Sequence, residues 1–590
     1  MTSPRLLLGL AAVAVAFAAA DTYVVVLALP DMMESAGIPI DQLQRGAPIV
    51  SGFLLGYVAM LPLIGRIADL RGRVPVLVAA LVLFAAGSLV TAAAYDVPGL
   101  VAGRFLQGVG AGGLVPATLV LVADLYPVDR RGVPLGIVSA VQELGSVIGP
   151  LYGALILAVS SWRVIFAVNL VVGVVLALLV RSLGSGEASD RPADSVPRHG
   201  WATVDWAGIV CVVVCLAAAG LVVVEPASLV SDVTWGQLFV PMWGSGRWAT
   251  PVGLVAVVAA LLFLVRCLTA RRPLVDLRGW WAAARQADLP GALFLAAALG
   301  GVILAFATAD PRVEVFAPQG WAYLLAAAVA TAVFVWHLRT DEAPLVPQGA
   351  LRRTPAWGSL VVSFFVGAAL VAALIDIPIF ARTTVYPDSQ LQAALVLVRF
   401  LAALPIGAVV GGYLTRRYAT GTITAVGMAL AALSFAWMSR WDLTSLSDWQ
   451  ATVPLVVGGF GFGLALAPVN AAVLAATDAG VHGLASAGVV VSRMVGMLVG
   501  VSALTTIGLR RYYDEAGDIP PPLQVCGGTT TRCDAFEHLL REAGIAQEQT
   551  VFAGAAVCAL VAGAAALVLF RSAETRGLPS RPWVEPTTEP

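Results

Sequence analysis

Long apolar runs, broken by short polar stretches that carry arginine, fill most of the chain. A helix needs about 20 apolar residues to cross the hydrocarbon core of a membrane. Sixteen runs approach or exceed that length, over 6–29, 46–64, 75–95, 98–124, 134–158, 163–182, 204–225, 250–268, 287–308, 320–338, 357–380, 391–414, 421–440, 452–475, 483–508 and 549–571. Each is expected to be helical, because backbone groups inside lipid must find partners within their own segment. If 287–308 and 320–338 do not cross, the count falls to fourteen. Either even count places both ends of the chain on one side. The first run resembles a secretory leader, with Ala18-Ala19-Ala20 as a small-residue cleavage site. The apolar pattern resumes from Val24 to Leu29, however, so the run reads as an uncleaved first span.

Arginine placement sets the orientation. Of the 35 basic residues all are arginine; 22 fall on the side of the N-terminus, ten on the opposite side and three within spans. Arg66/Arg71/Arg73, Arg130/Arg131, Arg266/Arg271/Arg272/Arg278 and Arg416/Arg417 all fall on the N-terminal side. Loops rich in arginine stay in the cytoplasm, so both termini are expected there, with the chain in a bacterial plasma membrane. A missed or invented span would move the later clusters outside. Composition agrees. The 590 residues are 59% hydrophobic and 12% charged, with mean hydropathy +0.88, whereas soluble domains carry about 25% charged residues. A net charge of −1 leaves no basic surface for nucleic acid.

The predicted architecture is an all-α polytopic membrane protein. Residues 1–182 form a six-helix bundle, 183–203 a cytoplasmic linker, and 204–354 four inserted transmembrane helices in two hairpins. Residues 355–571 form a second six-helix bundle, with an external loop over 509–548. Residues 572–590 are a cytoplasmic tail. The inserted hairpins end in similar loops, Arg272-Pro273-Leu274-Val275 and Ala343-Pro344-Leu345-Val346, which points to a duplicated unit.

The loop from Gly65 to Leu77 carries Gly65, Asp69, Gly72 and Arg73 in a G-x-x-x-D-x-x-G-R pattern. Glycine permits a tight turn, and an aspartate there can cap a neighbouring helix or pair with arginine. In the fourth span, Arg104, Gly108 and Gly112 share one face. In the fifth, Gly145, Gly149 and Gly153 form a close-packing face beside Pro150. These three patterns resemble the major facilitator superfamily. The third, with Ala154 where that family's motif ends in glycine, resembles its antiporter motif, and Trp162, Arg163 and Asn169 resemble the drug–proton antiporter branch.

A narrower resemblance rests on Asp21-Thr22-Tyr23-Val24-Val25, on Gln142-Glu143-Leu144-Gly145-Ser146, on Leu404 to Val409 and on Ala485 to Gly500. These are similar to the mycobacterial triacylglyceride exporters of the superfamily, which work with a periplasmic lipoprotein. That family carries two linker helices rather than four. The resemblance implies two six-helix bundles around a central cavity, rocking between inward- and outward-open states, with inward proton flow driving export. It also implies that the last two spans extend outward.

Ionisable groups inside spans are the site candidates. Asp21 and Glu143 are expected to carry the coupled proton, with Arg104 assisting and Arg493 supplying the opposing charge from the second bundle. A static ion pair joining the bundles is the alternative role. Asp376, Arg399 and Gln142 are cavity or ion-pair candidates. Cys526 and Cys533 flank Gly-Gly-Thr-Thr-Thr-Arg in the loop assigned to the outside, where disulfides persist. The other four cysteines lie in or beside spans as packing residues. Two cysteines offer too few ligands for a metal site, and no cofactor beyond the proton gradient is expected. No nucleotide loop, nucleophile elbow or metal cluster suggests an enzyme. Export of a hydrophobic lipid by a monomer is the favoured reading. Multidrug efflux of amphiphiles is the alternative, and a non-transporting scaffold or sensor stands third.

Overall fold

The computed structural model describes residues 4–38, 43–127, 130–184, 205–243, 246–270, 273–307, 319–341, 343–386, 389–526 and 533–573. The expected linker and the C-terminal tail lie almost wholly outside them. The first bundle comprises α1 (Pro4–Ser35), α2 (Leu43–Arg71), α3 (Arg73–Ala93), α4 (Val97–Leu125), α5 (Gly132–Val159) and α6 (Trp162–Gly184). The inserted region holds α7 (Trp206–Val224), the single turn α8 (Ala227–Val230), α9 (Pro251–Thr269), α10 (Leu277–Gln286), α11 (Leu289–Ala307) and α12 (Gly320–Thr340). The second bundle comprises α13 (Thr354–Thr383), α14 (Gln390–Leu414), α15 (Thr420–Met438), α16 (Thr452–Ala475), α17 (His482–Gly517) and α19 (Asp534–Leu569), with the short α18 (Pro522–Val525) between the last two. Among the described residues, fourteen helices are long and apolar enough to cross a membrane, and α10 with α11 forms a further pair bent by 78°.

The two bundles pack by one scheme. In the first, α1 lies on α5, α2 on α4, and α3 on both α4 and α6. In the second, α13 lies on α17, α14 on α16, and α15 on both α16 and α19. Small residues make the seams. A Cβ on Gly145 or Gly149 of α5 would strike the Ala16 or Ala20 backbone of α1, as one on Gly496 or Gly500 of α17 would strike Phe364 or Ala368 of α13. Gly108 and Gly112 of α4 sit likewise against Phe53 and Tyr57 of α2. In lipid, where no hydrophobic force drives helices together, such close backbone approach supplies the packing energy. The antiporter-like glycines are thus a seam between α5 and α1, with Pro150 inside the same helix.

The two inserted hairpins share a clamp. Asp205 accepts a bond from the Gly208 amide at the start of α7 (3.1 Å) and pairs with Arg266 near the end of α9 (3.0 Å), and the Leu274 backbone amide lies beside it. The Gly208 amide, more than any other group, holds the Asp205 carboxyl below its usual range. Asp288 repeats the arrangement at the start of α11. It accepts from the Gly291 amide (2.9 Å), meets His337 near the end of α12 (2.8 Å) and accepts from the Leu345 amide (2.8 Å). Leu274 and Leu345 occupy the same place in the two Pro-Leu-Val loops, so the repeated loop carries a repeated contact. The first hairpin docks on α3 through Trp248, whose ring N–H donates to the Ala93 carbonyl (3.1 Å). The second lays α11 across α2 and α17, the line where the two bundles meet.

One boundary expectation is corrected. The stretch over 509–548 is not a long loop. α17 and α19 are 36 residues each, about 54 Å at 1.5 Å per residue and far beyond a 30 Å core. Their projecting ends are too polar to read as spans, yet they are good helix formers. The i,i+4 pairs Arg511–Glu515 (2.6 Å) and His538–Glu542 (3.6 Å) brace them. Cys526 and Cys533 join in a disulfide near the tip, with Cα atoms 5.7 Å apart.

Candidate transport site

Asp21 and Arg104 form the core of a buried polar network drawn from four helices. Arg104 Nη1 of α4 donates to Asp21 Oδ2 of α1 (2.6 Å) and to Gln107 Oε1 one turn on (2.7 Å). Gln107 Nε2 donates to the Ser88 hydroxyl of α3 (3.0 Å), and Asn169 of α6 donates its amide N–H to Asp21 Oδ1. The guanidinium lies 4.3 Å from the centroid of the Phe53 ring of α2. Arg104 is 1% exposed and Asp21 2%. Two charges so deep in the protein are tolerable only when paired and hydrogen-bonded.

Opposite charges also face each other across the bundles, without an ion-pair contact. Glu143 of α5 and Arg493 of α17, both buried, lie within electrostatic reach of each other, and the Tyr57 hydroxyl of α2 is in range of both. Gln142, half-buried beside Glu143, is not joined to them by any described contact; its backbone carbonyl accepts from Ser146 within α5 (3.5 Å). Asp21 and Glu143 are therefore in different settings. The first is locked to a partner inside its own bundle, and the second faces a charge on the other bundle.

The G-x-x-x-D-x-x-G-R loop is an interlock at the arginine-rich end. Asp69 accepts from the backbone amides of Gly483 (2.9 Å) and Leu484 (3.3 Å) in the first turn of α17. A carboxylate there satisfies free N–H groups and sits at the positive end of the helix dipole. Arg66 donates to the Gly480 carbonyl (2.9 Å). Gly65 lies against Gly483, where a Cβ would fall 2.5 Å from the carbonyl oxygen. Gly72 turns the chain at φ 89°, a conformation that disfavours side chains. Arg73 braces the turn through Asp124 (2.9 Å) and the Ala68 carbonyl (3.0 Å). On the other side of the molecule Gly132 and Gly136 of α5 meet Gly412 and Ala408 of α14. Both inter-bundle seams are thus closed at the arginine-rich end.

Asp376 and Arg399 are not brought together. Arg399 donates to the Thr452 hydroxyl (3.1 Å) at the start of α16. Asp376 of α13 instead meets Glu548 of α19, carboxyl to carboxyl. Glu548 falls in the stretch 509–548 that the sequence pattern assigns to an external loop. Its only signal was its place next to an apolar run that begins at 549. Tyr57 and Ser88 were equally inconspicuous, because a lone hydroxyl in an apolar run has no pattern. Among the described residues, Asp288, His337 and Asp341 approach one another closely enough to suggest a metal site. Asp288 already accepts from two amides and meets the imidazole, the arrangement it shares with Asp205, so the group serves the hairpin clamp.

An apolar cavity of about 830 Å³ opens between α2, α3 and α10, lined by Ile64, Ile67, Val78, Leu83, Trp280 and Trp281 among others. Arg71 holds α10 in place by donating to the Gly279 carbonyl (2.6 Å) and lying over the Trp280 ring.

The profile of the Major Facilitator Superfamily matches residues 11–501. The chain belongs to that superfamily. It is a multi-pass membrane transporter, not an enzyme. This facilitator is 34% identical, over 86% of its length and 83% of the relative's, to a triacylglyceride transporter of Mycobacteroides abscessus. It is 32% identical to one of Mycolicibacterium smegmatis (94% and 86%) and 33% identical to one of Mycobacterium tuberculosis (86% and 83%). A crystal structure of the human organic anion transporter shares the fold, with TM-score 0.54 at 13% identity over 96% of this chain and all of that one.

Proposed function

We propose that this facilitator is a proton-coupled exporter of hydrophobic, triacylglyceride-like lipids, working by alternating access. The observation that carries the reading is its similarity, along most of its length, to relatives named triacylglyceride transporter in three mycobacterial species. The largely apolar cavity of about 830 Å³, which lies apart from Asp21, Glu143 and Arg493, offers room for an acyl chain beside α10. The closed arginine-rich end supports one of the two alternating faces, and that end is taken as cytoplasmic.

In this reading α5 and α17 carry the coupling. Charged Glu143 attracts Arg493 across the bundle interface. A proton on Glu143 cancels that attraction and frees the two bundles to rock. Opening toward the cytoplasm would also part Asp69 from the α17 amides and Gly132 from Gly412. The projecting ends of α17 and α19 supply a surface for a periplasmic lipoprotein.

Lipid release from proteoliposomes, with and without an imposed proton gradient, tests the reading. Gradient-dependent release that is lost in Glu143→Gln supports it. Intact drug efflux with no lipid release under any gradient contradicts the lipid assignment.

A further inference from the structure

Asp376 and Glu548 are two acidic side chains in contact. They come from α13 and α19, in the part of each helix nearer the end opposite the arginine-rich loops. Asp376 is 6% exposed and Glu548 1%. Gln547 donates to Glu548 Oε1 (3.2 Å), but Glu548 Oε2, fully buried, has no N–H or O–H donor among the described residues. Neither carboxyl group makes an ion pair among the described residues. Glu548 also lines a cavity of about 420 Å³, together with Arg382, Tyr512, Leu540, Arg541 and Gln547.

Two carboxylates buried in contact disfavour double ionisation, since each repels the other's charge and neither is in an ion pair among the described residues. One proton between them solves both problems. It leaves the pair with a single negative charge and gives the orphaned oxygen a bonding partner. The charged and titratable groups around the pair are few. Arg382 of α13, Arg541 of α19 and Tyr512 of α17 face the same cavity, and on α14 Arg399 is engaged by Thr452. The α15 and α16 helices, which complete the packing, have no titratable side chain. The cavity thus gives the pair a route to water, and its arginines favour return of the proton to that water.

We propose that Asp376 and Glu548 jointly bind one exchangeable proton, taken from and returned to the cavity at the outer end of the second bundle. Binding converts the two carboxylates to a carboxyl–carboxylate pair, and release returns the proton to water. The site is separate from Asp21 and Glu143, and its part in transport rests on the proton-coupled reading above.

Infrared difference spectra of the full chain in nanodiscs, titrated through neutral pH, test this directly. Wild type should show a protonated-carboxyl C=O absorption near pH 7 that shifts in D2O. The double variant Asp376→Asn/Glu548→Gln, in which an amide pair keeps the shape and a hydrogen bond, should lose one protonated carboxyl per chain. Each single variant, lacking the like charge, should titrate at lower pH than wild type. Glu143→Gln should leave this band in place. Identical spectra for wild type and the double variant, or a wild-type band that ignores D2O, would overturn the proposal. If the band behaves as expected while lipid release is indifferent to the gradient, the proton site stands and the coupling reading fails.

Discussion

The two bundles share their helix pairings and glycine seams, yet their buried polar groups differ. In the first, Asp21 is matched by Arg104 and the pair is hydrogen-bonded to Gln107 and Asn169. In the second, Asp376 meets another acid, and neither makes an ion pair among the described residues. Packing symmetry is carried by small residues at close crossings, and those repeat. Charge chemistry is carried by single side chains, which need not. The site must therefore be argued residue by residue, because the fold alone does not assign it.

The largest effect should come from breaking the matched pair. Arg104→Met leaves Asp21 buried and unpaired, at a cost of about 3–5 kcal/mol. Thermal unfolding in detergent should show a marked loss, much of it regained in Asp21→Asn/Arg104→Met. The equivalent experiment on the other bundle should differ in sign or size. Asp376→Asn gives Glu548 a neutral amide partner in place of the shared proton, and its melting temperature should stay level or rise. Equal destabilisation by the two substitutions would erase the distinction between the bundles.

Next in size is the interlock. Gly65→Val places a side chain on the Gly483 carbonyl and should force the arginine-rich end open. Spin labels or fluorophores on α2 and α17 near that end should report a longer distance than in wild type. Asp69→Asn removes a charged cap, worth about 1 kcal/mol, and should shift the same distance distribution less. The smallest effect belongs to the projecting tip. Cys526→Ser/Cys533→Ser opens an eight-residue ring, worth roughly 2 kcal/mol by chain entropy but confined to the tip. It should raise protease cleavage there while lipid release stays unchanged.

Much of the fold was legible because apolar runs and arginine clusters record the bilayer directly. The same held for Arg104, Gly108 and Gly112, whose four-residue spacing places them on one helix face. The hairpin repeat was visible in two Pro-Leu-Val loops, though the Asp205 and Asp288 clamps beneath it were not. Their partners lie 61 and 49 residues away, at Arg266 and His337. Hydropathy failed at α17 and α19, where helix continues after apolar character ends. That failure hid Glu548, and with it the true partner of Asp376. Arg399, expected among the ion-pair candidates, found a threonine, since which helix faces reach each other is a tertiary fact.

The central claim is that a proton on Glu143 releases the bundles to move lipid. Lipid release from proteoliposomes under an imposed inward proton gradient, comparing wild type with Glu143→Gln, tests it most directly. The account predicts gradient-dependent release in wild type and none above the gradient-free level in the variant. Equal, gradient-dependent release from both would contradict it.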